Sequence, residues 1–207
     1  MFLSNKKNRI ICIVSVIIVI IACVLFLFRG EIEELFAPSV TLISPEPIEA
    51  SDRTEIVIDV KLSDLPERMF PAGSISVEFD KNKLEYLGVK QGTMMTLGDS
   101  TGEDKVYNIP IWKDNINIAN ENGIINAMYL DITGGKYAYV KEGFSKENKD
   151  VLLRLTFRLR DSVVSGEIYN ITIRDAVMAT VENSIDNTSL ATSNRTLKAY
   201  HAKIVVK

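Results

Sequence analysis

The segment Val151 to Arg160, VLLRLTFRLR, sorts its side chains cleanly in only one backbone conformation. Val151, Leu153, Leu155, Phe157 and Leu159 occupy alternate positions, with Arg154, Thr156, Arg158 and Arg160 between them. An extended strand puts these two sets on opposite faces, whereas helical spacing would scatter the arginines around the axis. The same period of two recurs in EIVIDVKL at 55–62, where Ile56, Ile58, Val60 and Leu62 oppose Glu55, Val57, Asp59 and Lys61. It recurs again in SISVEF, where Ile75, Val77 and Phe79 oppose Ser74, Ser76 and Glu78. Further strands are predicted over Leu84 to Val89, Val106 to Trp112, Ile124 to Leu130, Tyr169 to Arg174 and Leu197 to Val206. Between them lie the turn clusters LGDSTGEDK, NENG, TGGK, EGFSKENK and VSGE. No amphipathic helix of useful length is expected among them. About nine short, one-sided strands predict an all-β, two-sheet antiparallel sandwich, with jelly-roll and immunoglobulin-like connectivity both open.

Ahead of this pattern, Ile10 to Phe28 reads IICIVSVIIVIIACVLFLF, uncharged throughout. As a helix at ~1.5 Å per residue it is long enough for a ~30 Å hydrocarbon layer, which predicts one N-terminal transmembrane helix. Lys6, Lys7 and Arg9 precede the run, and Arg29, Glu31, Glu33 and Glu34 follow it. The basic end should stay in the cytoplasm, making the chain a single-pass plasma-membrane protein with its C-terminal part outside. Two competing readings are a cleaved signal peptide, for which no small-x-small site follows closely, and a lipoprotein processed at Cys23 within Ile20-Ile21-Ala22-Cys23. Residues 31–47, EIEELFAPSVTLISPEP, carry three prolines and suit a brief extended stalk. The expected organisation is a basic tip at 1–9, the anchor at 10–28, a spacer at 29–39 and a sandwich at 40–207.

Composition removes several function classes. The net charge of −3 and the dispersed basic residues leave no stripe for nucleic acid. The two cysteines, Cys12 and Cys23, lie in the apolar run, so the sandwich has neither disulfide nor thiolate metal site. His201 is the sole histidine, and no nucleophile motif, phosphate loop or paired carboxylates accompany it, so no enzyme and no cofactor is expected. Asp99, Ser100, Glu103 and Asp104 offer oxygen ligands, but at a spacing that fits no calcium loop, so a solvated turn is the better reading. Trp112, Tyr107, Tyr129, Tyr137 and Tyr139 raise a polysaccharide-stacking platform as a rival function, although strand parity must send some of them into the core. Asn170, Asn187 and Asn194 begin Asn-x-Ser/Thr sequons, which are incidental in a bacterium.

One stretch is informative in a different way. FDKNKLEYLGVKQG at 79–92 resembles the early strands of bacterial cohesin modules, with Phe79, Asp80, Leu84 and Gly92 at the places of that family's recurring Tyr-Asp, Leu and Gly. Gly134 to Gly143, GGKYAYVKEG, is similar to the family's Gly-rich turn, Val151 to Arg160 to its eighth strand, and Ser51 to Leu62 to its turn and second strand. The resemblance covers roughly residues 40–207. It implies a nine-stranded jelly-roll β-sandwich that holds a dockerin-like module on a partner protein, through a face made of the third, fifth, sixth and eighth strands. Carried over, that face holds Ser74, Ser76 and Glu78 of the third strand, Asn126 and Met128 of the sixth, and Asp131 and Gly134 at the following turn. From the eighth it takes Arg154, Thr156 and Arg158, an arginine pair suited to clamp carboxylates or carbonyls on a docking helix. Ser74 departs from the acidic residue that dockerin-binding members often carry there. Direct polysaccharide binding, or a structural place in a surface assembly, are the alternatives. Within FDKNK the expected role of Asp80 is to cap the turn with its side chain.

Overall fold

The structure, a computed structural model, describes residues 6–27, 34, 36–98, 110–181 and 188–207. It divides into two compact units, Met1–Ala37 and Pro38–Lys207. The first contains the helix α1 (Lys6–Leu27), whose described side chains from Ile13 to Val24 are exposed on every side. Among the described residues no helix is long and apolar enough to cross a membrane.

The second unit is a sandwich of two five-stranded sheets. Its strands are β1 (Ser39–Leu42), β2 (Ile56–Leu62), β3 (Ala72–Glu78), β4 (Leu84–Gln91), β5 (Ile124–Leu130) and β6 (Val151–Leu159). They continue with β7 (Ile168–Ala179), β8 (Leu190–Ala191), β9 (Lys198–Tyr200) and β10 (Ala202–Val205). One sheet runs β4-β6-β2-β1-β9 and the other β10-β7-β3-β5, with β8 on the far part of β7. Among the described residues there are ten strands where about nine were expected: one expected strand divides in two, β8 is added, and the strand expected over Val106 to Trp112 is not among them. The run predicted as one strand from Leu197 to Val206 breaks at His201: β9 pairs parallel with β1 in one sheet, and β10 pairs with β7 in the other. His201 holds that corner by accepting the Ile173 N–H at Nδ1, 3.1 Å away. β8 is a two-residue addition to β7.

Period-two burial is realised in full along β2, whose Ile56, Ile58, Val60 and Leu62 are all buried. On β6, Leu153, Leu155 and Phe157 are fully buried and meet Ile75, Val77 and Ile171 of the other sheet in one core. Full burial of one such side chain contributes about 1.5–3 kcal/mol. Phe157 also packs edge-on to Phe79 and against Tyr86, with ring centroids 5.4 Å apart in both pairs. The turn between β3 and β4 is built by Asp80: its carboxylate accepts the Asn82 N–H at 2.9 Å and its carbonyl the Leu84 N–H at 2.9 Å.

A helix absent from the sequence expectation, α2 (Ile116–Asn122), lies in the stretch ending NENG. Asn115 caps its start by accepting the Ile118 N–H, and Gly123 ends it in the left-handed region at φ 73°. Its Asn120 side chain accepts the Tyr86 N–H at 2.9 Å and donates to the Tyr86 carbonyl at 2.8 Å. One amide therefore imitates a neighbouring strand and closes the edge of β4. Of the strand predicted over Val106 to Trp112, residues 106–109 lie outside the described residues, and 110–112 form no strand. Lys113 alone makes an antiparallel bridge, to Met128.

Candidate docking face

The sheet β7-β3-β5 presents a broad outer surface whose layout follows from register. β3 lies in the middle, and its alternation turns Gly73, Ile75 and Val77 inward and Ser74 and Ser76 outward, half-buried. Gly73 is required by the indole beneath it, since a Cβ there would lie 2.9 Å from Trp112 Cη2 and 3.0 Å from Met178 Sδ. Ser74 stands opposite Met128 of β5 on one side and Val177 of β7 on the other. Ser76 stands between Asn126 and Asp175, and Glu78 between Ile124 and Thr172. Ala72 stands between Leu130 and Ala179. A register shift between Ser76 and Val77 leaves Arg174 as the extra residue of β7, and its Nε approaches Glu78 Oε2 at 4.0 Å.

These rows make a surface with two unlike ends. At one end are Met128 (62% exposed), Leu130 (60%) and, just past the strand, Ile132 (85%). At the other are Asn126, Ser76, Asp175, Glu78 and Arg174, with Asp175 Oδ1 accepting the Thr192 hydroxyl at 2.6 Å. Lys113 is bridged through its backbone to Met128 and is exposed; no ion pair reaches it among the described residues.

Five residues of the expected face therefore do come together: Ser74, Ser76, Glu78, Asn126 and Met128. Three do not. Arg154, Thr156 and Arg158 belong to β6, which pairs with β2 and β4 in the opposite sheet. There Arg154 Nε contacts Asp59 Oδ1 at 2.9 Å, and Arg158 Nη1 reaches Glu85 Oε2 at 3.5 Å. The Thr156 hydroxyl is buried and donates to the Gly88 carbonyl at 2.7 Å. The arginines are cross-strand partners on a solvated sheet, and no clamp forms beside Ser74. The strand that does flank β3 is β7, so Thr172, Arg174, Asp175 and Val177 take the place that had been given to β6. Its sequence, IYNITIRDAVMA, alternates up to Ile173 and then, one residue out of step, from Ala176 onward, so the expected strand stopped where the alternation breaks, at Arg174.

Asp131 and Gly134 also differ from expectation. Asp131 is 6% exposed, and its carboxylate is turned inward on its own loop. It accepts the Thr133 N–H at 2.8 Å, the Thr133 hydroxyl at 2.5 Å and the Tyr137 N–H at 3.0 Å. Burial alone would raise its pKa, but these donors together with the Gly135 N–H hold the carboxyl below the usual carboxylate range. It shapes the turn that holds Ile132 outward. Gly134, at φ 81°, supplies the left-handed residue of that turn, and nothing lies within 4 Å of where its Cβ would be.

The aromatic residues offered for sugar stacking are core residues. Trp112, Tyr129, Tyr137 and Tyr139 are all buried. Trp112 Nε1 donates to the Tyr139 hydroxyl at 2.9 Å, and the Tyr129 ring lies 5.7 Å from Trp112 and 4.8 Å from Tyr139. Tyr107 and the oxygen-rich turn of Asp99, Ser100, Glu103 and Asp104 lie outside the described residues. Among the described residues no group of three or more His, Cys, Asp or Glu is placed to hold a metal.

A family model described as the cohesin domain matches residues 50–198. The chain belongs to the cohesin family. Solved cohesins share its fold at low identity. The sixth cohesin of Acetivibrio cellulolyticus scaffoldin B, solved in complex with a Cel5 dockerin, is 17% identical with a TM-score of 0.56, covering 83% of this chain and 99% of that one. The OlpA cohesin of Clostridium thermocellum, in complex with Doc918, is 16% identical with a TM-score of 0.57, again over 83% and 99%. The seventh ScaB type I cohesin of Pseudobacteroides cellulosolvens is 15% identical with a TM-score of 0.53, over 83% and 92%. No curated protein matches the chain.

Proposed function

We propose that this cohesin holds a dockerin-like module of a partner protein on the outer face of β7-β3-β5. The observation that carries this reading is the flat surface itself: small, half-buried Ala72, Ser74 and Ser76 along its centre, and exposed Met128 and Leu130 beside them. Small central residues let a partner's backbone approach, and exposed aliphatic side chains give it apolar area to bury. The dockerin complexes formed by the A. cellulolyticus and C. thermocellum cohesins support the choice of partner.

The test is retention of a panel of recombinant dockerin modules by the immobilised full chain. Ser76→Arg, which puts a long charged side chain at the centre of the face, is expected to abolish retention. Arg154→Ala together with Arg158→Ala, on the opposite sheet, is expected to leave it unchanged. Loss in the arginine variant with retention in Ser76→Arg would move the site to the other face.

The same proposal includes tethering at the cell surface by α1. What supports it is the uncharged run from Ile10 to Phe28, with Lys6, Lys7 and Arg9 before it. Carbonate-resistant sedimentation with membranes, together with protease sensitivity of the sandwich on intact cells, is the expected result. Release by carbonate would remove the anchor from the proposal.

A further inference from the structure

One edge of β7 is covered by two strands that leave a gap between them. On the other edge β3 pairs with the strand from Thr172 to Ala179. On this one β10 covers Ile168 to Ile171, and β8 covers only Val177 and Met178. The backbone across the gap still has N–H groups to satisfy, and two side chains take the place of the missing strand. His201 Nδ1 accepts the Ile173 N–H at 3.1 Å, and Thr192 Oγ1 accepts the Ala176 N–H at 3.1 Å. Ile173 and Ala176 are both buried, so loss of either acceptor is costly. Between them lie Arg174, the extra residue of the bulge, and Asp175, both at the polar end of the docking face. Thr192 also grips this pair directly, donating its hydroxyl to Asp175 Oδ1 at 2.6 Å.

Resting on the docking reading above, we infer that His201 and Thr192 are positioning residues for the polar end of the face, and that His201 makes that end sensitive to acid. Nδ1 accepts a hydrogen bond only while it carries no proton, which puts the proton of the neutral ring on Nε2. Histidine is the side chain whose charge ordinarily changes between pH 5 and 8. A doubly protonated ring has two donors and no acceptor, so it sets one N–H against another at Ile173. The bond is therefore complete while the ring is neutral and is lost as pH falls through the imidazole's titration. The charged and titratable side chains on the elements around this corner are Arg174 and Asp175 on β7, Glu78 on β3, Lys198 and Tyr200 on β9, and Lys203 on β10. Arg174 and Glu78 approach each other at 4.0 Å, Asp175 is taken by Thr192, and among the described residues no carboxylate forms an ion pair with His201. The corner thus offers an imidazolium no partner in exchange for the bond it breaks. With Ile173 released, the bulge loosens and Asp175 loses its fixed place opposite Ser76. Thr192 has no such titration, so its support is the same across this range.

The experiment uses the full chain in detergent micelles, and as probe any dockerin that the unmodified chain retains. Hydrogen exchange at the Ile173 amide, corrected for the intrinsic pH dependence of exchange, is followed at about pH 7.5 and about pH 5.5. Protection should fall roughly tenfold at the lower pH, as expected for loss of one bond to a buried group. His201→Asn keeps an acceptor oxygen near the place of Nδ1 but takes no proton, so its Ile173 protection should not change with pH. Dockerin affinity should weaken severalfold more on acidification in the unmodified chain than in His201→Asn, a comparison in which titration of the dockerin itself cancels. Thr192→Val should weaken the dockerin severalfold at both pH values, and Thr192→Ser should restore it. Protection of Ile173 that is constant with pH overturns the inference and leaves the docking reading standing; this measurement on the unmodified chain decides the point even if His201→Asn fails to fold. An equal effect of acid on dockerin affinity in both chains, or a Thr192→Val chain that binds as the unmodified one does, overturns it likewise. A chain that retains no dockerin overturns the docking reading and this inference with it.

Discussion

Replacing Asp131 by alanine tests whether a carboxylate beside the docking face acts as a contact or as scaffolding. In the structure its two oxygens receive the Thr133 N–H, the Thr133 hydroxyl and the Tyr137 N–H, all within 3.0 Å. Tyr137 is buried, so its orphaned N–H bears a desolvation penalty of about 1–3 kcal/mol. Thr133 is exposed and recovers water, so its two bonds cost only about 0.5–1.5 kcal/mol each. A loss of about 2–6 kcal/mol follows, which at a urea dependence of ~2 kcal/mol/M moves the unfolding midpoint down by about 1–3 M. The effect must also depend on pH in one sense. Because folding lowers this pKa, the ionised carboxylate is the stabilising form. Its contribution is complete above the unfolded value of 3.8 and is lost as pH falls through the lower folded value. Equilibrium urea unfolding of residues 38–207 at pH 7 and at pH 3 measures both. The gap between variant and wild type should be full at pH 7 and narrower at pH 3. A midpoint shift below about 0.3 M at pH 7, or a gap that does not narrow, would refute the scaffolding role.

Two further substitutions probe the edge of the opposite sheet and the support beneath the face. Asn120→Ala removes both bonds from α2 to Tyr86 and should cost about 1–2 kcal/mol, with faster hydrogen exchange at the Tyr86 amide reporting the opened edge of β4. Gly73→Ala drives a methyl to within 2.9 Å of the indole and 3.0 Å of the Met178 sulfur, so about 1–3 kcal/mol of overpacking is expected. Trp112 is the sole tryptophan, and a shift of its emission in the folded variant would report the displacement directly.

What could be read from the sequence was set by how local each determinant is. Alternation along β2, β3 and β6 tells which side chains point inward, because strand parity is a property of the strand alone. Parity is silent on which of two sheets a strand joins, and that is where Arg154 and Arg158 went astray. Their membership is decided by pairing with Asp59 and Glu85, residues distant in the chain. For β1 the difficulty was similar: four residues in a proline-spaced segment become a strand because β2 and β9 lie on either side. α2 had a local signal, Asn115 before it and Gly123 after it, but a seven-residue helix with Ala119 as its one buried side chain shows no amphipathic period to find. Asp131 could be placed at a turn from the sequence, yet the direction of its carboxylate depends on N–H groups that a closed loop alone brings together.

The docking face joins both kinds of determinant. Its inward half was legible: Ile75, Val77 and Ile125 had to face the core, so Ser74, Ser76 and Asn126 had to face out. Its outward chemistry was not, because an apolar stripe across strands is made of residues separated in sequence and aligned only by register. Leu130, Ala72 and Ala179 are unremarkable where they stand in the chain, and each completes an ordinary alternation. The pairing of Ala72 with both of the others turns three separate positions into one continuous surface. Register is therefore the quantity on which this surface, and the docking proposed for it, depends. A one-residue slip of β5 on β3 would turn Met128 and Leu130 inward and present Ala127 and Tyr129, erasing the stripe. The core opposes that slip strongly, since it would drive the Tyr129 ring out of its packing against Trp112 and Tyr139. The buried aromatic cluster is thereby what holds the outer surface of β7-β3-β5 in alignment.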